Sequence, residues 1–112
     1  MSADDLRITV IQADTVWHDP QSNRMAYQAQ FDKLETACDI IVLPETFTSG
    51  FSNDAISQAE TMQGETVAWL IGQARRLNAA ITGSVQLSVG GKVYNRMLWA
   101  MPDGQLHFYD KR

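Results

Sequence analysis

The chain has 112 residues, of which 45% are hydrophobic, and its formal net charge is −4. This length suits one small domain, and the hydrophobic fraction is typical of a packed core rather than of a disordered segment. The acidic balance argues against a nucleic-acid partner, because phosphate backbones are bound by basic surfaces. A single cysteine, Cys38, excludes an internal disulfide framework and is typical of a reducing compartment.

The N-terminus carries no targeting signal that we recognise. Residues 1–5 are polar and acidic, without the positive and apolar segments of a signal peptide. No apolar run approaches the roughly 20 residues that span a bilayer. The sequence therefore predicts a cytoplasmic protein without a membrane partner.

The first part of the chain alternates strand and helix signals. Residues 6–11 are rich in β-branched side chains and predict a buried strand. Asp19 and Pro20 predict a helix start, because Asp caps free N–H groups and Pro suits the first helical position. Apolar residues at helical spacing then predict a helix that ends near the last of them: Tyr27, Phe31, Leu34 and Cys38. Residues 40–43 form an apolar run that Pro44 stops, which is typical of a strand buried on both faces.

A loop, a second helix and a strand meander follow. Residues 46–54 predict the loop, and residues 67–77 an amphipathic helix that stops at Asn78. Strands are predicted at residues 80–87, 92–101 and 105–109, with turns at Gly90-Gly91 and at Pro102-Asp103-Gly104 between them. The order predicts an α/β class with a mixed sheet.

Glu45 directly follows the apolar run and Pro44. A carboxylate at the C-terminal end of a buried strand lies where α/β folds keep their sites, and partial burial there would favour a general base. An ordinary loop acid explains the same position, and position alone favours that simpler interpretation.

Lys111 lies at a strand end between Asp110 and Arg112. A lysine near a carboxylate in a cleft can stabilise an oxyanion. Taken alone, however, the pattern favours a solvated charge cluster.

The thiol and the two histidines carry weaker signals. Cys38 lies at the end of a helical stripe, where a free cysteine is usually a small core residue rather than a nucleophile. His18 and His107 are isolated and lack the spacing of metal ligands, so we predict no metal site.

Five segments, in order, resemble the nitrilase superfamily of carbon–nitrogen hydrolases. They are residues 7–13, residues 39–51 with Pro44-Glu45 and Phe47, residues 81–84, the Tyr94-Asn95 strand at residues 93–96, and residues 109–112. The segment from Glu45 to Phe51 is most similar to the omega-amidase branch. The resemblance implies that residues 1–112 are the N-terminal part of one hydrolase domain, cut after the catalytic-lysine strand. The implied fold is the N-terminal half of a four-layer α-β-β-α sandwich.

The resemblance also implies an activity. The family uses a Glu-Lys-Cys triad, in which Glu45 would be the general base and Lys111 the electrostatic partner. The nucleophilic cysteine would lie in a later segment, so we expect the 112-residue chain alone to be inactive. The expected substrate is a small monoamide such as 2-oxoglutaramate or 2-oxosuccinamate, without a cofactor, and we expect a homodimer in the complete enzyme.

Two alternatives stay open. The chain can belong to another branch, such as a nitrilase or a carbamoyl-amide hydrolase. It can also be a non-catalytic half-fold that serves binding or assembly. A strand followed by a cysteine at a helix start beyond Arg112 would favour the enzyme.

Overall fold

The computed structural model describes residues 5–50 and 59–111. In these ranges the elements are β1 (Ile8–Val10), α1 (Pro20–Asp32), β2 (Ile40–Val42), α2 (Glu65–Leu77), β3 (Ala80–Val89), β4 (Lys92–Ala100) and β5 (Leu106–Lys111). The strands form one sheet in chain order, in which β1, β2 and β3 are parallel and β3, β4 and β5 are antiparallel. The predicted α/β class with a mixed sheet is confirmed.

Helix α1 begins where the sequence predicts and ends earlier. The Asp19 carboxylate accepts a hydrogen bond from the Ser22 N–H at 3.1 Å, and hydrogen bonding to Ser22 lowers the pKa of Asp19. The helix ends at Asp32 rather than near Cys38, so that part of the prediction is wrong. Leu34 and Cys38 lie in the connection to β2, where they still pack against the core. The apolar spacing continues past the helix end because Leu34 and Cys38 contact the core from an otherwise exposed connection, not because the helix extends to them.

Helix α2 ends as predicted. It runs to Leu77, and Asn78 follows in the left-handed conformation with φ 50°. The Asn78 N–H bonds back to the carbonyls of Ala74 and Arg75, which satisfies acceptors at the helix end. Among the described residues, no helix is both long enough and apolar enough to cross a membrane.

The two helices pack on one face of the sheet and form the core with it. The Phe31 and Trp69 rings are stacked at 5.8 Å, and the Tyr27 ring meets Phe47 edge-on at 5.7 Å. The buried sheet residues of this core are Ile41, Ile81, Val85, Leu87, Leu98 and Ala100. The helices therefore cover this face of the sheet, and they do not cover the opposite face.

The opposite face carries a row of polar side chains at one end. Gln86, Asn95 and Lys111 are register partners across β3, β4 and β5, so their side chains point to the same side. Ile8 and Val10 point to this face too and are 54% and 69% exposed. The prediction of a buried first strand is therefore wrong, because β1 is the edge strand of the sheet.

The meander follows its turn residues closely. Gly90 and Gly91, with φ of 59° and 81°, join β3 to β4. Gly104 has φ 94°, and its N–H donates to the Met101 carbonyl at 3.0 Å in the next turn. Positive φ at these positions is readily adopted by glycine, which explains why the turns were visible in the sequence.

Candidate active site

Glu45 lies just beyond the C-terminal end of β2. The strand stays paired for one more residue, since the Leu43 N–H donates to the Thr82 carbonyl at 2.8 Å, and Pro44 then ends the ladder. The Glu45 side chain is 59% exposed, which is more open than the partial burial that we expected. The carboxylate is thus held at a strand end and remains accessible.

Lys111 is the last residue of β5 and forms an ion pair with Glu45. Its ammonium contacts the Oε1 atom of the Glu45 carboxylate, and its side chain is 36% exposed. The two residues that sequence reasoning selected come from separate strands and meet in the fold. A carboxylate and an ammonium in contact can respectively accept a proton and stabilise a developing negative charge.

Asp110, although next to Lys111 in sequence, belongs to the other face of the sheet. Its carboxylate receives two hydrogen bonds from Arg96, at 2.6 and 2.9 Å, and this pairing lowers the pKa of Asp110. The Arg96 guanidinium also lies 4.0 Å from the centroid of the Phe108 ring. The charges at this end of the chain therefore do not form one solvated cluster; Asp110 joins β5 to β4, and Lys111 faces Glu45. Arg112 lies outside the described residues.

The segment after Glu45 is held against β3. The Thr46 N–H donates to the Ser84 Oγ at 2.8 Å, and the Phe47 N–H donates to the Ser84 carbonyl at 3.1 Å. Thr46 has φ 45°, a conformation that non-glycine residues rarely adopt. The Phe47 side chain is fully buried and lies directly over Gly83. These contacts fix the backbone that carries Glu45; residues 51–54 of the predicted loop lie outside the described residues.

Sequence reasoning missed two polar residues that also hold this segment. Asn23 is 1% exposed; its side chain accepts from the Val16 N–H and donates to the carbonyls of Val16 and Thr48, each at 2.7 Å. It shares the buried stripe of α1 with Tyr27 and Phe31, so a polar residue on an apolar face was the available signal. Glu60, which binds the Thr48 hydroxyl at 2.6 Å, had no such signal.

Cys38 is placed away from the pair. It precedes β2, whereas Glu45 follows β2, so the thiol and the carboxylate lie toward opposite ends of that strand. His107 is an exposed residue of β5, and the His18 ring stacks on Trp17 at 4.1 Å. Within residues 5–50 and 59–111, no group of three His, Cys, Asp or Glu side chains could hold a metal ion.

Comparison with known proteins identifies the family. The profile described as Carbon-nitrogen hydrolase matches residues 7–112. The chain belongs to the carbon–nitrogen hydrolase family. The nitrilase-superfamily resemblance of the sequence motifs is thereby confirmed.

Curated relatives place this carbon–nitrogen hydrolase near the omega-amidases. It is 41% identical over 107 residues to the omega-amidase YafV of Escherichia coli strain K12, covering 96% of the chain and 41% of that protein. It is 28% identical over 101 residues to the 2-oxoglutaramate amidase of Bacillus subtilis strain 168, covering 88% of the chain and 39% of that protein. The chain thus spans about two fifths of the length of these relatives, and its sequence is omega-amidase-like.

Solved structures agree with this placement. XC1258 from Xanthomonas campestris, a CN-hydrolase superfamily protein, matches with a TM-score of 0.92 and 59% identity, over 96% of the chain and 41% of that protein. An N-terminal amidase matches with a TM-score of 0.84 at 19% identity, over 95% of the chain and 28% of that protein, which shows a shared fold. The hydrolase fold is therefore kept across large differences in sequence.

Proposed function

We propose that residues 1–112 supply the general base and the oxyanion-stabilising cation of an amidase active site, with Glu45 as the base and Lys111 as the cation. The single observation that carries this proposal is their ion pair, which joins the end of β2 to the end of β5. The roles follow the family resemblance, and the chemistry of the two groups fits them.

The reaction begins with a cysteine thiol that lies outside residues 1–112. Cys38 is the only cysteine of the chain, and its place before β2 does not suit the role. The Glu45 carboxylate takes the thiol proton, and the thiolate attacks the amide carbon of the substrate. The carbonyl oxygen becomes an oxyanion, which the Lys111 ammonium stabilises because the cation is already in place before charge develops.

Collapse of this tetrahedral species breaks the C–N bond. The leaving nitrogen takes the proton held by Glu45 and departs as ammonia, which leaves a thioester. Glu45 then accepts a proton from water as the water attacks the thioester. The carboxylic acid product leaves, and the proton returns to the thiolate. Each residue thus serves both halves of the reaction.

The proposed substrate is a small monoamide of a dicarboxylic acid, such as 2-oxoglutaramate or 2-oxosuccinamate. Support comes from the 2-oxoglutaramate amidase and omega-amidases among the relatives. If the substrate were instead a nitrile or a carbamoyl amide, Glu45 and Lys111 would keep their proposed roles, and the enzyme would belong to another branch of the family. The expected homodimer is a separate prediction, which light scattering of the purified enzyme tests.

The test uses an enzyme that contains this chain together with the remainder of its domain. Ammonia release from 2-oxoglutaramate should fall by several orders of magnitude in Glu45→Gln and in Lys111→Ala, because members of a catalytic unit fail together. Glu35→Gln and Lys33→Ala are matched controls, since both side chains are exposed and lie before β2. Cys38→Ala should also retain activity. Near-normal turnover in either active-site variant would contradict the proposal.

A further inference from the structure

Glu60 is a mostly buried carboxylate that sequence reasoning did not select. Its side chain is only 15% exposed. The Glu60 backbone is paired with β3: its N–H donates to the Gln86 carbonyl at 2.9 Å, and its carbonyl accepts from the Ser88 N–H at 2.7 Å. Burying an ionised carboxylate costs free energy unless it is hydrogen-bonded or paired with a cation. The partners of the Glu60 carboxylate therefore identify the segments that it joins.

Both carboxylate oxygens of Glu60 are bound by hydroxyl groups. Oε2 accepts from the Thr48 Oγ1 at 2.6 Å, and Oε1 accepts from the Thr66 Oγ1. The Thr66 hydroxyl in turn accepts from Arg24 at 2.8 Å, and the Arg24 guanidinium lies 3.8 Å from Glu60 Oε1. One carboxylate therefore joins the segment after Glu45 to the first turn of α2 and to α1.

The contact with Thr48 connects Glu60 to the active site. Thr48 follows Glu45 by three residues and is fully buried. Its carbonyl is held by Asn23 at 2.7 Å, and its hydroxyl is held by Glu60. The left-handed φ of Thr46 lies between Glu45 and this anchor, so the strained backbone is held from its far side. A Thr48 that is held at two atoms restricts where the Glu45 carboxylate can lie.

We propose that Glu60 is a positioning residue of the hydrolase, which acts through the Thr48 hydroxyl to fix the Glu45 carboxylate beside Lys111. This inference rests on the proposed roles of Glu45 and Lys111. The alternative role is general stabilisation, in which Glu60 joins α1 to α2 without affecting the geometry of Glu45.

Four variants separate these roles in the enzyme that contains the chain. Glu60→Gln removes the carboxylate. Thr48→Val removes only the hydroxyl that receives it, and Thr48→Ser keeps that hydroxyl. Glu65→Gln is the matched control, because Glu65 also pairs with Arg24, at 3.0 Å, but its side chain is 88% exposed and no contact joins it to Thr48 in the described structure.

The expected kinetic result is a loss of kcat with little change in KM. Displacing a catalytic group by up to about 1 Å lowers turnover about tenfold to hundredfold, and it affects substrate binding less. Glu60→Gln and Thr48→Val should show this loss, and Thr48→Ser and Glu65→Gln should behave as wild type. The double variant Thr48→Val/Glu60→Gln should fall no further than the more impaired single variant, because both changes act on the same contact between Thr48 and Glu60.

Amide hydrogen exchange of residues 43–50 in the same proteins gives a second, activity-independent result. Exchange should be faster in Glu60→Gln and Thr48→Val and unchanged in Glu65→Gln. If the wild-type enzyme hydrolyses no amide, the proposed function fails, and this exchange pattern alone decides whether Glu60 positions the segment. Wild-type kcat and wild-type exchange in Thr48→Val, or equal losses in Glu65→Gln and Glu60→Gln, would overturn the positioning role.

Discussion

Gly83 of β3 should tolerate replacement poorly, because the segment after Glu45 packs on it. A Cβ atom added there would lie 2.8 Å from the Phe47 Cδ1 and 3.0 Å from the Leu43 Cβ. Carbon atoms prefer separations of about 3.5–4.0 Å, so the neighbours would have to move by about 0.5–1 Å. Both neighbours are buried, and Leu43 is tied to Thr82 through its backbone, which leaves little room for that movement.

The magnitude of Gly83→Ala follows from two opposing effects. Overpacking a close-packed core costs about 1–3 kcal/mol. Alanine recovers about 0.5–1 kcal/mol because it restricts the unfolded chain more than glycine does. The difference between the two effects is a fall of about 0–2.5 kcal/mol in the free energy of unfolding. The 2.8 Å approach to a buried ring favours the upper half of this range, about 1–2.5 kcal/mol.

Gly72→Ala is the matched control for this change. Gly72 is exposed in α2, and a Cβ there meets no atom within 4 Å. The same substitution should stabilise the protein by about 1 kcal/mol, through helix propensity. Urea unfolding of the purified enzyme measures the change in the free energy of unfolding for both variants, provided that the dependence of this free energy on urea concentration stays the same. A second check adds Phe47→Leu, which trims the ring at the clash and should reduce the cost of Gly83→Ala. A Gly83→Ala protein as stable as wild type would refute the reasoning.

Three other changes have defined outcomes. Asp110→Asn should lower the unfolding midpoint at neutral pH. Because the folded-state pKa of Asp110 is lowered, its stabilisation is present above the ordinary value of 3.8 and is lost as the pH falls through the lowered pKa, so the difference from wild type should disappear in strong acid. Asn78→Ala should cost about 1 kcal/mol in thermal unfolding, because alanine adopts the left-handed conformation less readily than asparagine, whose short polar side chain can hydrogen-bond locally, and Asn78→Gly should not. Asn23→Ala should cost at least about 2 kcal/mol, since it leaves buried backbone groups of Val16 and Thr48 unpaired; a cost below 0.5 kcal/mol, about that of a surface change, would contradict this.

The parts of the fold that were predictable depend on neighbours in sequence. The Asp19-Pro20 helix start, the Asn78 helix stop and the Gly90-Gly91 turn each follow from the conformational preference of one or two residues. The interactions that cause them join residues within a few positions of each other. These local signals therefore do not depend on how distant segments pack.

The parts that were not predictable depend on packing between distant segments. The apolar stripe from Tyr27 to Cys38 continues beyond the end of α1, because Leu34 and Cys38 pack against the core although most of the connection after Asp32 is exposed. The exposure of Val10 follows from the place of β1 at the sheet edge, which periodicity does not specify. Glu60 looks like any other acid until the fold brings it to Thr48.

The Glu45–Lys111 pair depends both on local sequence and on the packing of distant segments, and the register of β5 connects the two. Successive side chains of a strand alternate between faces, so only one of Asp110 and Lys111 can face Glu45. A slip of one residue would turn Asp110 toward Glu45 and place two carboxylates together. The bidentate contact of Asp110 with Arg96, on the far face, is made in the observed register and would be broken by that slip. The ion pair between Arg96 and Asp110, on the helix-facing side of the sheet, therefore favours the register in which Glu45 faces the Lys111 ammonium rather than a second carboxylate.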